Sequence, residues 1–197
     1  MTKKYEEIKT PLELLDFIMK NFEYGYLGKN NKVYKLDNPK FNECWENNYV
    51  LEDTDDMLNT LVGNCYDQVE FARKWFTDNG YEVKTYYEMV VVDYRNPYPT
   101  HSFLVYKDKN KWNWFEYADS PNMGIHSFDS LEECLSCQLN KYIKFLNDFN
   151  ISDKEKENIK LYEFCAPPRH IGAREYIDFC LNGKEIIYDE LEEIKRK

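Results

Sequence analysis

The chain has 197 residues, a formal net charge of −10 and 17% aromatic residues, including 17 Tyr and 12 Phe. That aromatic content argues against disorder, and the acidic balance argues against nucleic acid or an anionic membrane, since both select for clustered Lys and Arg. A neutral or basic protein or peptide substrate suits the charge better, and the length suits one domain over residues 1–197 with its own core.

Met1–Glu7 carries no apolar run and no stretch approaches the length of a membrane span, so a cytoplasmic location is expected. In that setting the six cysteines (Cys44, Cys65, Cys134, Cys137, Cys165, Cys180) are expected as thiols rather than three disulfides. Thr10-Pro11-Leu12-Glu13 reads as a helix start. Thr10 is the cap, Pro11 the first helical residue and Glu13 the closing member of a capping box. Leu14, Leu15, Phe17, Ile18 and Phe22 supply the apolar stripe. Residues 23–49 give a weak signal, with Tyr24, Tyr26, Val33, Tyr34 and Leu36 around Gly28–Asn31 suggesting a hairpin. Asp53–Leu61 reads as a short helix with an acidic start.

Gly63-Asn64-Cys65 then forms a tight turn that runs into a helix. Val69, Ala72 and Phe76, with Phe71 and Trp75 beside them, recur at helical spacing, and Asn79-Gly80 ends the run. Cys65 therefore falls in the first turn, where unpaired backbone N–H groups favour negative charge and hence a thiolate. Tyr81–Tyr94 reads as a long strand and Arg95–Pro99 as a loop. His101–Lys107 and Lys111–Ala118 read as two strands joined by a short connection. Asp119–Gly124 is expected as a loop. Asp129 or Ser130 caps a helix carrying Leu131, Leu135, Leu139, Ile143 and Leu146. A strand over Asn158–Cys165, a helix over Ala173–Leu181 and an acidic tail from Lys184, open to helix, complete the chain. Helices, a central antiparallel sheet and further helices make the expected class α+β.

A nucleophilic thiol needs a base, and the chain has three histidines. His126 and His170 sit in loop contexts, whereas His101 opens a strand and shares one face with Phe103 and Val105. An even-length connection to the next strand keeps Glu116 on that face. Glu116 is then either directly opposite His101 or, if Lys109-Asn110 is the turn, diagonal to it. Asp119 falls on the other parity. A carboxylate beside the imidazole would fix its tautomer and stabilise the imidazolium.

Gly63-Asn64-Cys65, His101-Ser102-Phe103-Leu104-Val105 and Trp112-Asn113-Trp114-Phe115-Glu116 together resemble the transglutaminase-like superfamily of papain-type cysteine enzymes. The continuation through Gly124-Ile125-His126 to the Leu-Glu-Glu helix looks like a bacterial and phage subgroup of it. The resemblance spans roughly Leu58 to Phe128, within a core of about 50–130. It departs from the family habit in having Glu116 where Asp is usual and Phe103 where a bulkier aromatic is usual. It implies a papain-like fold with the catalytic helix packed on a central antiparallel sheet, and a Cys65–His101–Glu116 triad. It also implies attack on an amide or isopeptide carbonyl through a thioester, as a protease, deamidase, amidase or transglutaminase. Asn64, Gln68, Asp119 and Trp114 are the further candidates for oxyanion or substrate contact, Trp112 and Trp114 being read first as core or cleft wall. The alternative is the same fold kept as an inactive binding or adaptor module.

No cofactor and no metal are expected. Cys134-Leu135-Ser136-Cys137 lies inside an amphipathic helix with no second CxxC, so coincidence outweighs zinc. Asp53, Asp55 and Asp56 read as a helix N-terminus before a calcium site.

Overall fold

The computed structural model describes residues 4–91, 99–149 and 151–187, with the side chains of residues 42–44 also left out. Most of the expected loop at Arg95–Pro99, the side chain of Cys44 and the end of the acidic tail lie outside these residues.

The first helix, α1 (Pro11–Asn21), starts as its sequence dictates. Thr10 accepts the Glu13 N–H at 3.2 Å, and Pro11 takes the position where a missing N–H costs nothing. Glu13 reaches back one residue further than a capping box would, to the Lys9 N–H at 2.8 Å. The expected hairpin follows as β1 (Glu23–Gly28) and β2 (Val33–Lys35), paired antiparallel. Then come α2 (Phe41–Asn48), β3 (Tyr49–Val50), α3 (Thr54–Thr60) and β4 (Val62–Gly63). α3 is capped by Asp53, whose Oδ1 accepts the N–H groups of Asp55 and Asp56, both at 3.0 Å. β3 and β4 both pair with β1, β3 antiparallel and β4 parallel, giving a small second sheet that residues 23–49 did not foretell.

The helix α4 (Cys65–Asp78) leads to the main sheet: β5 (Glu82–Val90), β6 (His101–Asp108), β7 (Lys111–Glu116) and β8 (Gly124–Phe128). After it come α5 (Leu131–Asn147), the short α6 (Asp153–Lys156), β9 (Ile159–Phe164), α7 (Ala173–Leu181) and β10 (Lys184–Glu185). The six strands stand in the order β10-β9-β5-β6-β7-β8, and every neighbouring pair is antiparallel. The architecture is mixed α+β built on antiparallel sheets. Two local expectations are corrected. Gly124–Phe128 is a strand, because its backbone completes the open edge of β7, and Lys184–Glu185 extends the opposite edge rather than starting a helix.

Strand alternation divides the core. Leu104, Tyr106 and Phe115 face α4 and α1 and pack on Phe71 and Phe76, with the Phe76 and Tyr106 rings stacked at 4.3 Å. Phe103, Val105, Tyr86 and Trp114 face the other way, onto Leu135, Leu139 and Leu146 of α5. A third cluster joins Tyr26 and Tyr49 of the small sheet to Tyr66 of α4 and Tyr176 of α7, whose rings stack at 4.1 Å. Such pairs contribute about 0.5–1.5 kcal/mol beyond their buried area. Among the described residues, no helix is long and apolar enough to cross a membrane.

Candidate active site

The start of α4 is held from several sides. Tyr24 of β1 stands beside Gly63 of β4 in the parallel register. A Cβ at Gly63 would lie 2.6 Å from Met57 Cε and 3.1 Å from Asp67 Cβ, so no larger residue fits there without a shift. Asn64 is the cap: its Oδ1 accepts the Tyr66 N–H at 2.8 Å, and its own N–H donates to Asp67 Oδ2 at 3.0 Å. Asp67 Oδ1 takes the Tyr49 hydroxyl at 2.8 Å and the Glu52 N–H at 2.9 Å, tying the helix start to the chain after β3. Burial pushes Asp67 up to about 7 despite these donors. Cys65 is the first helical residue and 7% exposed, with its N–H among those that have no partner within the helix. Tyr24 lines the same cleft as the thiol.

The imidazole arrives from the main sheet. Asp108 pairs with Lys111, so Lys109-Asn110 is the turn, with Lys109 at φ 55°. The register Leu104↔Phe115 makes Glu116 the diagonal neighbour of His101, on the same face. His101 Nε2 lies 2.9 Å from Glu116 Oε2. The Trp114 indole N–H also donates to Oε2, at 3.1 Å, and the Asp119 N–H donates to Oε1 at 2.8 Å. Burial works against the charge on Glu116, but His101 and these donors outweigh it and hold the carboxyl below its ordinary range. The carboxylate is therefore the acceptor and Nε2–H the donor, which leaves Nδ1 for the thiol. Burial alone would lower the pKa of His101. The Glu116 carboxylate and the Cys65 side chain reverse that and raise it well above the usual imidazole value.

Cys65, His101 and Glu116 thus meet where β6 begins, β7 ends and α4 starts. Asp119 reaches the same point by its main chain, its carboxylate being engaged by Asn122 at 2.6 Å. Asn64 Oδ1 is taken up as the cap, and Gln68, which also lines the cleft beside Cys65, donates from Nε2 to the Gly63 carbonyl at 2.8 Å. Trp114 is buried behind Glu116, where it orients the acid rather than a substrate.

The thiol and imidazole open on a cleft of about 610 Å³, lined also by Tyr24, Thr100, Tyr117, Asp119 and residues of α5. Its lining includes two buried residues that sequence reasoning missed, Glu88 of β5 and Gln138 of α5. Glu88 is the direct cross-strand partner of His101, and Gln138 Nε2 donates to its Oε1. A signal was present: Glu88 sits at the parity of Tyr86 and Val90, where only apolar side chains are expected.

The other chemistry-bearing groups lie elsewhere. His126 is on β8, its ring 4.9 Å from Trp114 and its Nε2 2.8 Å from the Asn122 carbonyl oxygen. His170 Nε2 lies 2.8 Å from Asp56, and Asp53, Asp56 and His170 form a group at the surface. Cys134 is buried under the sheet, where burial pushes its thiol up to about 12. The five described cysteines are unbridged.

Burial pushes Glu88 and Glu52 up to about 8 and Asp67 to about 7. Each keeps its proton in the folded chain over a range where the unfolded chain has lost it. Their stabilising contribution is complete below the unfolded value near 4.5 and is lost as pH rises through 7 and 8. His101, raised likewise, adds a loss of the same sign, whereas the contribution of Glu116 is lost only on acidification. Urea unfolding should therefore show stability falling by about 2–5 kcal/mol from pH 6 to pH 9. A flat or rising profile would show these carboxyls ionised in the folded state. Comparison with protein-family models, curated proteins and solved structures found no match to this chain.

Proposed function

We propose that this protein is a papain-like, transglutaminase-like cysteine enzyme that acts on an amide or isopeptide carbonyl of a protein or peptide. One observation carries the reading: a thiol at a helix N-terminus lines the same cleft as an imidazole held by a buried carboxylate. In the proposed reaction Nδ1 of His101 takes the Cys65 proton and Glu116 stabilises the imidazolium. The thiolate then attacks the carbonyl carbon. The oxyanion is met by the Cys65 N–H, with the Tyr24 hydroxyl as second donor. As the C–N bond breaks, His101 returns its proton to the departing amine, leaving a thioester on Cys65. Water or a second amine resolves the thioester. Hydrolysis is the simpler outcome, since it needs no site for a second substrate.

An activated ester tests this without knowledge of the natural substrate. With p-nitrophenyl acetate, nitrophenolate should be released in a burst equal to the enzyme concentration, and peptide mapping should find the acetyl group on Cys65. Acetylation spread over Cys65 and the exposed Cys165 at similar rates, with no burst, would support the inactive binding module instead.

A further inference from the structure

Glu88 lies in the sheet at a position where a buried carboxyl is costly, and nothing in the triad chemistry uses it. It is fully buried, its Oε1 accepts from Gln138, and its Oε2 has no partner. Gln138 is 2% exposed, and its Oε1 is unpartnered as well. Buried acceptors without donors are rare and call for an explanation. Both residues line the cleft that holds Cys65 and His101. Once Glu88 is ionised, its Oε2 and Gln138 Oε1 are two buried acceptors at one wall of a substrate cleft, complementary to a group that brings only donors.

The rest of the cleft narrows the choice. Asp119 and Asp148 also line it, and no lysine or arginine does among the described residues. Its walls are apolar: Met19, Leu36, Met123 and Phe145, each between 38% and 64% exposed, are four of the eight exposed large hydrophobics among the described residues, and all line it. An apolar passage ending in acceptors and negative charge suits an alkyl stem ending in an ammonium group. Mono-anionic or purely apolar groups would leave one or the other feature unmatched.

We propose that Glu88 and Gln138 form a specificity subsite that takes a lysine-like side chain of the substrate, its ammonium on Glu88 Oε2 and Gln138 Oε1. This rests on the cysteine-enzyme reading and names the substrate class for it: peptides with a basic residue close to the attacked carbonyl. Glu88 is the cross-strand neighbour of His101, so the subsite lies beside the reacting atoms. An arriving ammonium favours the ionised form of Glu88, which burial alone opposes.

Binding can be read without turnover by using the Cys65→Ser protein and two probes that differ only in the terminal amino group, Nα-acetyl-lysine methylamide and Nα-acetyl-norleucine methylamide. In isothermal titration the lysine compound should bind at least about tenfold more tightly, the scale of a charge-assisted hydrogen bond. Glu88→Gln should erase that preference, whereas Asp16→Asn, which removes one surface charge on α1, should keep it. Equal binding of both probes would reduce the cleft to an apolar groove and overturn the subsite. So would binding of neither probe, or a preference that survives in Glu88→Gln. The probe comparison in Cys65→Ser stands whether or not the Glu88 variant folds. Acetylation of Cys65 in the unaltered protein is independent of all these outcomes, so loss of the subsite would not be mistaken for loss of the enzyme.

Discussion

Replacing His101 by alanine is expected to slow alkylation of Cys65 by iodoacetamide at pH 7 by about tenfold or more, and to abolish the acylation burst. The size follows from losing the base: a positioned acid–base group contributes typically about 10²–10⁴-fold to a step that moves a proton, and alkylation of the thiol draws on part of that. His101 is suited to be that group. Glu116 keeps it cationic to higher pH than a free imidazole, and Nε2 is already committed, so Nδ1 is what the thiol meets. The other cysteines serve as internal controls. Cys134 and Cys180 should stay unlabelled in both proteins, since burial pushes both thiols up, and Cys165 should react at a rate the substitution does not alter. Mass-spectrometric time courses give all of these rates in one experiment. If Cys65 reacts no faster than Cys165 in the unaltered chain, or equally fast without His101, the thiol is inert and the enzyme reading falls.

The parts of this site that could be read in the sequence are those set by local rules. Gly63-Asn64 before Cys65 is cap chemistry, and the observed cap is Asn64, with Asp67 closing the box three residues on. The parity that joins His101 to Glu116 needs only a two-residue turn, which Lys109-Asn110 provides. What escaped depends on the chain meeting itself at a distance. Glu88 lies beside His101 only because β5 and β6 pair in one register, and no short turn fixes that register. Tyr24 stands beside the start of α4 through a parallel bridge between β1 and β4, and β4 is too short to announce itself. The strand β8 likewise owes its extended form to the free edge of β7. The sealing of the helix start has a related origin: Tyr49 and Asp67 close over it, so Asn64 Oδ1 and Gln68 Nε2 serve its own backbone groups.

The substitution Glu116→Gln should damage the acylation step severely while still permitting folding. In the present arrangement the carboxylate accepts three donors, from His101, Trp114 and the Asp119 main chain. An amide of the same shape can accept on its oxygen, but its NH₂ must point at one set of donors and leaves them unpaired. If that set includes His101, the imidazole turns over or shifts its proton to Nδ1, the nitrogen that has to receive the thiol proton. In the serine triad the equivalent neutral replacement costs about 10⁴ in turnover. Here a loss of two to four orders of magnitude in the acylation rate of Cys65 is expected. Stability should fall by about 1–3 kcal/mol for the donors left without an acceptor. Glu116→Ala, which removes the carboxylate partner of a buried imidazolium, should cost about 3–5 kcal/mol. Paired measurement of acylation rate and urea unfolding separates the two roles. A Gln variant that loses stability but acylates at the unaltered rate would make Glu116 a structural acceptor for Trp114 and Asp119. A variant that keeps most of its stability and loses the rate would make it the group that holds the imidazole for Cys65.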